Sequence, residues 1–273
     1  MIDTSPSIKA LRTSHDRFVA LVEPLLDAGV QRPSYASEWS IAQVASHLGS
    51  QAEIFQLFLD AGLTDGLAPG GEVFPPIWDR WNALPPARQV TRSIVANEQF
   101  VTRVERLELD HRDGLRVAVS GTELDLAGLA LLRLGEHAVH TWDVAVTLDP
   151  DTTIAADAVR LLIDQLPSLA ARTGQPVAGR ASLQILTDEP QRRFRLQLAP
   201  EVALVNEEGA PSPSEWRLQM PAEALIRLIY GRLDAGHTPG GITAEKVGDH
   251  GMSDGSHDAS HLLRQLRHVF PGF

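Results

Sequence analysis

The stretch RLGEHAVHTWD, residues 133–143, is the part of this chain that says most about its fold and its chemistry. It lies within a predicted helix that runs from about residue 122 to about residue 146. Glu136 and His140 stand four positions apart there, so their side chains leave the same helix face, with Cβ atoms roughly 5–6 Å apart. A carboxylate and an imidazole placed in this way can bind one divalent metal. Helices also carry such pairs by chance on solvated faces, so the spacing alone leaves both interpretations open.

A third metal ligand is available upstream. The stretch WSIAQVASHL, residues 39–48, contains His47 within a second predicted helix. Two histidines and one carboxylate leave a tetrahedral zinc ion with one open position, which is typical of a catalytic site and not of a structural one. The sequence therefore contains the donors for a catalytic metal centre.

Composition and charge exclude several classes of function. The 273 residues allow one large or two ordinary domains, and the net charge of −11 argues against binding to nucleic acid or to an anionic membrane through a basic face. The chain contains no cysteine, so any thiol chemistry needs a thiol that arrives as a cosubstrate. Neither a run of about 20 apolar residues nor a signal-peptide layout is present, which favours a cytoplasmic protein. The oligomeric state stays open.

Four segments of the first half are predicted to be helices, and they span residues 6–26, 41–61, 86–107 and 122–146. Pro24 is expected to kink or shorten the last turn of the first helix. Ser40 and Gln43 have the spacing of a capping box at the start of the second. Residues 62–76 are rich in glycine and proline and are expected to form a loop, whereas 115–120 predict a short extended segment. Helices joined in this way favour an antiparallel four-helix bundle, in which facing helices can build a metal site.

The second half is predicted to contain both strands and helices. One helix is predicted over residues 153–172, broken or ended near Pro167. Strands are then expected at 181–187, 194–198, 202–205 and 216–220, followed by helices at 221–233 and 259–270. This order predicts a smaller α+β domain. We therefore expect two domains, 1–150 and 151–273, in a chain of the α+β class.

The two motifs together resemble a known family. WSxxxVxxHL at 39–48 and RLxExxxHxxD at 133–143 are similar to the motifs of the mycothiol-dependent maleylpyruvate isomerase family. The resemblance covers the whole chain, and it implies an N-terminal DinB-like bundle followed by a sterol-carrier-like α+β domain. It implies that His47, Glu136 and His140 bind a divalent metal, usually zinc, and that mycothiol is the cosubstrate. The stretch LIYGRL at 228–233 resembles a less specific Gly-Arg element of the family, which implies that Arg232 faces the substrate.

The chemistry that follows from this resemblance has more than one outcome. A metal cation stabilises a thiolate over a thiol, so the cosubstrate would ionise near neutral pH. The sulfur could add to a cis double bond, permit rotation and leave, which is isomerisation, or it could displace a leaving group, which is S-transfer. The expected partners are then a small electrophilic substrate and a low-molecular-weight thiol. Two other classes stay open, a hydrolase in which the metal activates water and a non-catalytic small-molecule binding protein.

Residues beside the motifs have competing interpretations. Asp143 lies one turn beyond His140 and could accept its second N–H, although a packing or exposed aspartate is an equal expectation. Arg133 could pair with a carboxylate or a substrate, or form a surface ion pair. His137 points about 100° away from Glu136 and is expected to be a packing or surface histidine. Trp39 and Trp142 are expected to pack in the core or between domains. Arg232 is expected to bind an anionic group and to contribute little to folding.

Overall fold

The chain divides into two compact units. The structure is a computed structural model of the 273-residue chain. It describes residues 5–36, 38–109, 114–119, 121–177, 179–209, 213–247 and 255–272, with only the backbone described at 109 and 255–258. The two units are Met1–Ala158 and Val159–Phe273. No described helix combines the length and the apolar character that crossing a membrane requires.

The first unit is built on a bundle of four long helices. Its elements in chain order are α1 (Pro6–Val22), α2 (Ile41–Leu63), α3 (Phe74–Asn82), α4 (Pro86–Leu109), β1 (Val117–Val119), β2 (Thr122–Leu124) and α5 (Leu126–Ala145). Helices α1 and α2 each pack against both α4 and α5, and the short α3 packs on α2. The strands β1 and β2 pair as an antiparallel ribbon between α4 and α5. The bundle thus places α2 beside α5, the two helices that carry the motifs.

The start of α2 is defined by its cap and its buried face. Ser40 Oγ accepts from Gln43 N at 3.2 Å while Gln43 Oε1 accepts from Ser40 N at 2.8 Å, so the predicted capping box is confirmed. Ile41, Val44 and Leu48 are fully buried and pack in one cluster with residues of α1. Burying a side chain of this size stabilises the fold by about 1.5–3 kcal/mol. These contacts fix the turn of α2 on which His47 lies.

Two expectations for the first unit are wrong in detail. The helix α5 begins at Leu126 and not near residue 122, because Asp125 caps it by accepting from Gly128 N at 2.7 Å. The helix α3 was not predicted, although prolines stand in its first turn, where their missing N–H groups cost no helical hydrogen bond. Its Trp81 lies so close to α2 that a Cβ added at Gly49 would be 2.2 Å from the indole ring. Glycine at this position lets α3 approach α2.

The second unit combines one mixed sheet with helices. Its elements are α6 (Ala156–Leu162), which spans the division, α7 (Leu166–Thr173), β3 (Ala181–Asp188), β4 (Arg192–Leu198), β5 (Ala203–Asn206), β6 (Trp216–Pro221), α8 (Ala222–Ile229), β7 (Thr243–Lys246) and α9 (Gly255–Val269). The strand order is β5-β4-β3-β6-β7, in which only the β3–β6 pair is parallel. The predicted α+β class is confirmed.

The predicted helix over residues 153–172 is broken near Pro167 as expected: α6 ends at Leu162 and α7 begins at Leu166, with Pro167 in its first turn. Two expectations for the second unit need correction. The strand β7 was not predicted. The helix α8 ends at Ile229 and not at residue 233, because Gly231 adopts a left-handed φ of 72°. Gly231 N donates to Leu228 O at 3.0 Å and Arg232 N donates to Arg227 O at 2.6 Å, which is the Schellman pattern of a helix end.

Candidate metal centre

Three side chains that are distant in sequence meet between α2 and α5. His47 Nε2 lies 3.2 Å from Glu136 Oε2, and His140 Nε2 lies 3.8 Å from the same oxygen. One ligand atom from each residue lies within 4.8 Å of the other two. The side chains of His47, Glu136 and His140 are 20%, 28% and 9% exposed, so the cluster is sheltered but still reached by solvent. The structure thus brings together the three residues that the motifs suggested as ligands.

This donor set fits a divalent metal ion. Nitrogen and oxygen ligands lie about 2.0–2.2 Å from zinc, which puts neighbouring donors of a tetrahedral site about 3.3–3.5 Å apart. The distances from Glu136 Oε2 to the two histidine nitrogens, 3.2 and 3.8 Å, bracket that value. Two imidazoles with one carboxylate suit zinc and other borderline divalent metals. Three protein donors leave a fourth position for a small molecule.

Asp143 sets the orientation of one histidine. Its Oδ2 lies 2.9 Å from His140 Nδ1, and the Asp143 side chain is fully buried. A buried carboxylate at this distance accepts the Nδ1–H, which leaves the lone pair on Nε2 pointing toward Glu136 and His47. The orienting role, one of two interpretations of the sequence, is therefore the one that the geometry supports.

The electrostatics of the cluster favour the protonation states that metal ligands need. Burial raises the pKa of Glu136, yet the hydrogen bond from His47 and the nearby charges of His140 and Arg133 lower it to about 2. Burial is also the main cause that lowers the pKa of His47, and the hydrogen bond to Glu136 offsets this only in part. At neutral pH the cluster therefore offers an ionised carboxylate and a neutral His47 imidazole.

Arg133 ties the two ligand-bearing helices together. It is fully buried, so the surface ion pair considered from the sequence is wrong. Its Nη2 donates to Leu48 O at 2.9 Å and to Asn97 Oδ1 at 2.7 Å. Leu48 directly follows His47 on α2, and Arg133 lies one turn before Glu136 on α5. Burial lowers the pKa of Arg133 to about 10, so the guanidinium stays charged at neutral pH.

Trp39 belongs to the site, although the sequence suggested only a packing role. Its ring centroid lies 5.2 Å from that of His47 and 5.8 Å from that of His140, with the second pair stacked. The sequence did contain a signal for this contact. Trp39 directly precedes the cap residue Ser40, and a large apolar residue at that position packs against the first turns of the helix. Trp142, by contrast, is a core residue as expected and is 1% exposed.

His137 faces away from the cluster and into the bundle. It is fully buried, and its Nδ1 lies 2.8 Å from Ser14 Oγ on α1. The packing role is confirmed and the surface alternative is wrong. Burial, the main cause, lowers the pKa of His137 well below its usual value and also lowers the pKa of the buried His15 on α1. Both imidazoles therefore stay neutral where an exposed histidine would bind a proton.

We expect these buried histidines to make the protein sensitive to acid. Below about pH 6.5 the unfolded chain binds protons at both positions while the folded chain does not, so the free energy of unfolding falls as the pH falls. When the pH is lowered from about 7.5 to about 5.5, the free energy of unfolding of the wild type should fall by up to about 1.4 kcal/mol more than that of His137→Gln. Urea unfolding of the chelator-treated proteins at both pH values measures the difference. Equal pH dependence in the two proteins would contradict the prediction.

Arg232 lies in the second unit, directly after the glycine that ends α8. Arg232 is 7% exposed, and its Nη1 donates a hydrogen bond to Tyr230 O at 2.6 Å. The expectation that it lies on the helix is therefore wrong. A Cβ added at Gly231 would be 2.4 Å from the backbone of Gly272, so this turn accepts no larger residue.

The fold and this geometry define a class of protein. Its first unit is a helical bundle with a sheltered cluster of two histidines and one carboxylate, and its second unit is of the α+β type. The family model described as the mycothiol maleylpyruvate isomerase N-terminal domain matches residues 11–145. The chain carries a domain of this family, and the resemblance predicted from its two motifs is confirmed.

Solved structures show the same fold. A crystal structure of a histidine-to-alanine mutant of the mycothiol-dependent maleylpyruvate isomerase superposes with a TM-score of 0.60 at 16% identity. The structure of the isomerase itself gives 0.59, also at 16% identity. Each similarity covers 88% of this chain and 91% of the other. No curated protein matches the chain significantly.

Proposed function

We propose that this chain is a metal-dependent enzyme that uses a low-molecular-weight thiol, mycothiol, as an isomerase of the maleylpyruvate type or as an S-transferase. His47, Glu136 and His140 hold the metal, and their donor chemistry selects zinc. The observation that carries the proposal is the three-donor cluster itself, which is sheltered yet still reached by solvent. The family of the N-terminal unit and the names of the solved neighbours support the choice of thiol.

The residues of the site create the conditions for thiol chemistry. One anionic and two neutral donors would leave a bound divalent metal with a net positive charge, which supplies stabilisation of a thiolate over a thiol. Glu136 provides the anionic donor because its pKa is about 2. Asp143 keeps His140 Nε2 free to donate its lone pair, and Trp39 covers both imidazoles and limits the access of water. The chain has no cysteine, so the nucleophile comes from outside.

The two reactions differ in the fate of the sulfur. In isomerisation the thiolate adds to an alkene carbon conjugated with a carbonyl, which takes up the electron pair. After rotation the C–S bond breaks and the thiol is regenerated. In S-transfer the C–S bond persists and a leaving group departs with the electron pair, so one thiol is consumed per turnover. Free thiol that stays constant while maleylpyruvate is converted therefore identifies isomerisation. S-transfer is tested with an electrophile that carries a leaving group, whose conversion should consume one thiol per turnover.

We expect the thiol to coordinate the metal directly. Cobalt–thiolate charge-transfer bands arise only when sulfur binds cobalt, so titrating the cobalt-substituted protein with mycothiol should produce them. The Glu136→Ala protein should lose the bands because a ligand is missing. The Glu123→Ala protein, which changes an exposed carboxylate on β2, should keep them. An unchanged spectrum at saturating thiol, with hydrolysis of an ester or amide in its absence, would favour a hydrolase instead.

We further propose that Arg232 binds an anionic group of the substrate or cosubstrate. A guanidinium offers two parallel donors to a carboxylate, whereas an ammonium offers a point charge. We expect Arg232→Lys to keep its thermal midpoint and to raise KM for maleylpyruvate more than it lowers kcat. Arg227→Lys is the matched control. Arg227 donates two hydrogen bonds to the Glu223 carboxylate, at 2.7 and 2.9 Å, in a buried ion pair. Replacing it by lysine should therefore lower the thermal midpoint. A similar loss of stability in Arg232→Lys would assign that arginine to the fold.

A further inference from the structure

One pocket of the first unit lies away from the metal cluster. It has a volume of about 480 Å³ and is lined by residues of α2, α3, α4 and the link between α3 and α4. None of the three clustered ligands lines it. Glu53, the first α2 residue of the pocket, is six positions after His47 and so is rotated by about 120° from it around the helix. The pocket and the metal cluster therefore use different faces of α2.

The rim of this pocket is positively charged in a chain of net charge −11. Arg80, Arg88 and Arg92 line it, and Glu53 is its acidic residue. Glu53 pairs with Arg80, but no side chain among the described residues pairs with Arg88 or Arg92. These two cations are four positions apart on α4, where like charges repel and destabilise a helix. An anion between them would remove that cost.

The pocket also has an apolar wall and a buried polar atom. Trp81 and Leu84 line one side, and Val95 on α4 is 55% exposed, which is unusual for a large apolar residue. Glu53 accepts from Trp81 Nε1 at 2.8 Å and so holds the indole in place. Thr91 Oγ1 is buried in the pocket lining, without a hydrogen-bond partner in the described part of the chain. These groups suit a ligand with one charged end and an apolar body.

We propose that this pocket binds a small organic carboxylate with an aromatic or aliphatic body, its carboxylate between Arg88 and Arg92. Arginine recognises carboxylates through two parallel N–H donors, so the two guanidinium groups can share one carboxylate. The apolar body then contacts Trp81 and Val95. The site is independent of the proposed metal chemistry, because none of the metal ligands contributes to it.

Calorimetric titration with a panel of linear and aromatic monocarboxylates, phenylacetate among them, tests the proposal. The corresponding amides, such as phenylacetamide, are the uncharged controls. We expect at least one acid to bind, and its amide to bind at least about tenfold more weakly, because a charge-assisted hydrogen bond is lost. Arg88→Ala and Arg92→Ala should each weaken binding of the acid by at least about tenfold. Arg106→Ala, which changes another exposed arginine of α4, should not.

The His47→Ala protein separates this pocket from the metal cluster. Carboxylates also bind metals, so binding that disappears in His47→Ala would assign the acid to the cluster and overturn the proposal. Binding that persists there and falls in Arg88→Ala and Arg92→Ala supports it. The proposal is also overturned if no acid of the panel binds the wild type, or if binding is unchanged in both arginine variants.

Discussion

Replacing His47 by alanine should abolish stoichiometric metal binding while the bundle stays folded. His47 supplies one of three donors, and its Nε2 lies 3.2 Å from Glu136 Oε2. Two remaining donors cannot hold a tetrahedral metal against competing water. Elemental analysis after dialysis should show about one metal per wild-type chain and almost none in the variant. The far-ultraviolet circular dichroism should be nearly unchanged, because α2 is held by its cap and its apolar face.

A chelator gives a second measurement of the same site. Because the metal binds the folded chain, removing it should lower the thermal midpoint of the wild type but not that of His47→Ala. His261→Ala is the control, since His261 is an exposed histidine of α9 and should leave metal content unchanged. Full metal occupancy in His47→Ala would remove this residue from the centre. Loss of metal should also remove the thiol-dependent activity.

Replacing Asp143 by alanine should weaken metal binding by about 10- to 100-fold, the usual cost of removing the partner that orients a ligating histidine. Asp143 Oδ2 lies 2.9 Å from His140 Nδ1, and without it the ring is free to present the wrong nitrogen. Asp143→Ala also leaves a buried N–H without its acceptor, which costs about 1–3 kcal/mol of stability. Competition with a chromophoric chelator measures the affinity and urea unfolding measures the stability.

Two further variants make the Asp143 experiment specific. Asp143→Asn keeps the shape and an acceptor oxygen but removes the charge, so its metal affinity should fall between those of the wild type and Asp143→Ala. Asp27→Ala changes an exposed aspartate of the same unit and should alter neither quantity. If Asp143→Ala lost stability with no change in metal affinity, the aspartate would be a packing residue and not an orienting one.

Local patterns predicted those parts of the structure that depend on neighbours in the chain. The capping box of Ser40 and Gln43 was predictable because its two hydrogen bonds join residues three apart. The pairing of Glu136 with His140 follows from helix geometry alone. The end of α8 was missed although its signal, Gly231, was visible, because glycine is tolerated within helices and only its φ of 72° shows that it ends this one. The strand β7 has one buried residue in four, too weak a pattern to predict without its partner β6.

The sequence by itself determined that the first half is mainly helical, that the second half combines strands with helices, and which residues are able to hold a metal. Only the tertiary structure decided that His47 meets Glu136 across 89 positions of chain, because that contact depends on how the apolar faces of α2 and α5 pack in the bundle. The same packing buries Arg133 against Leu48 O and brings Trp39 over the two imidazoles. Local periodicity shows that a helix has an apolar face, but the partner of that face is chosen by burial over the whole bundle.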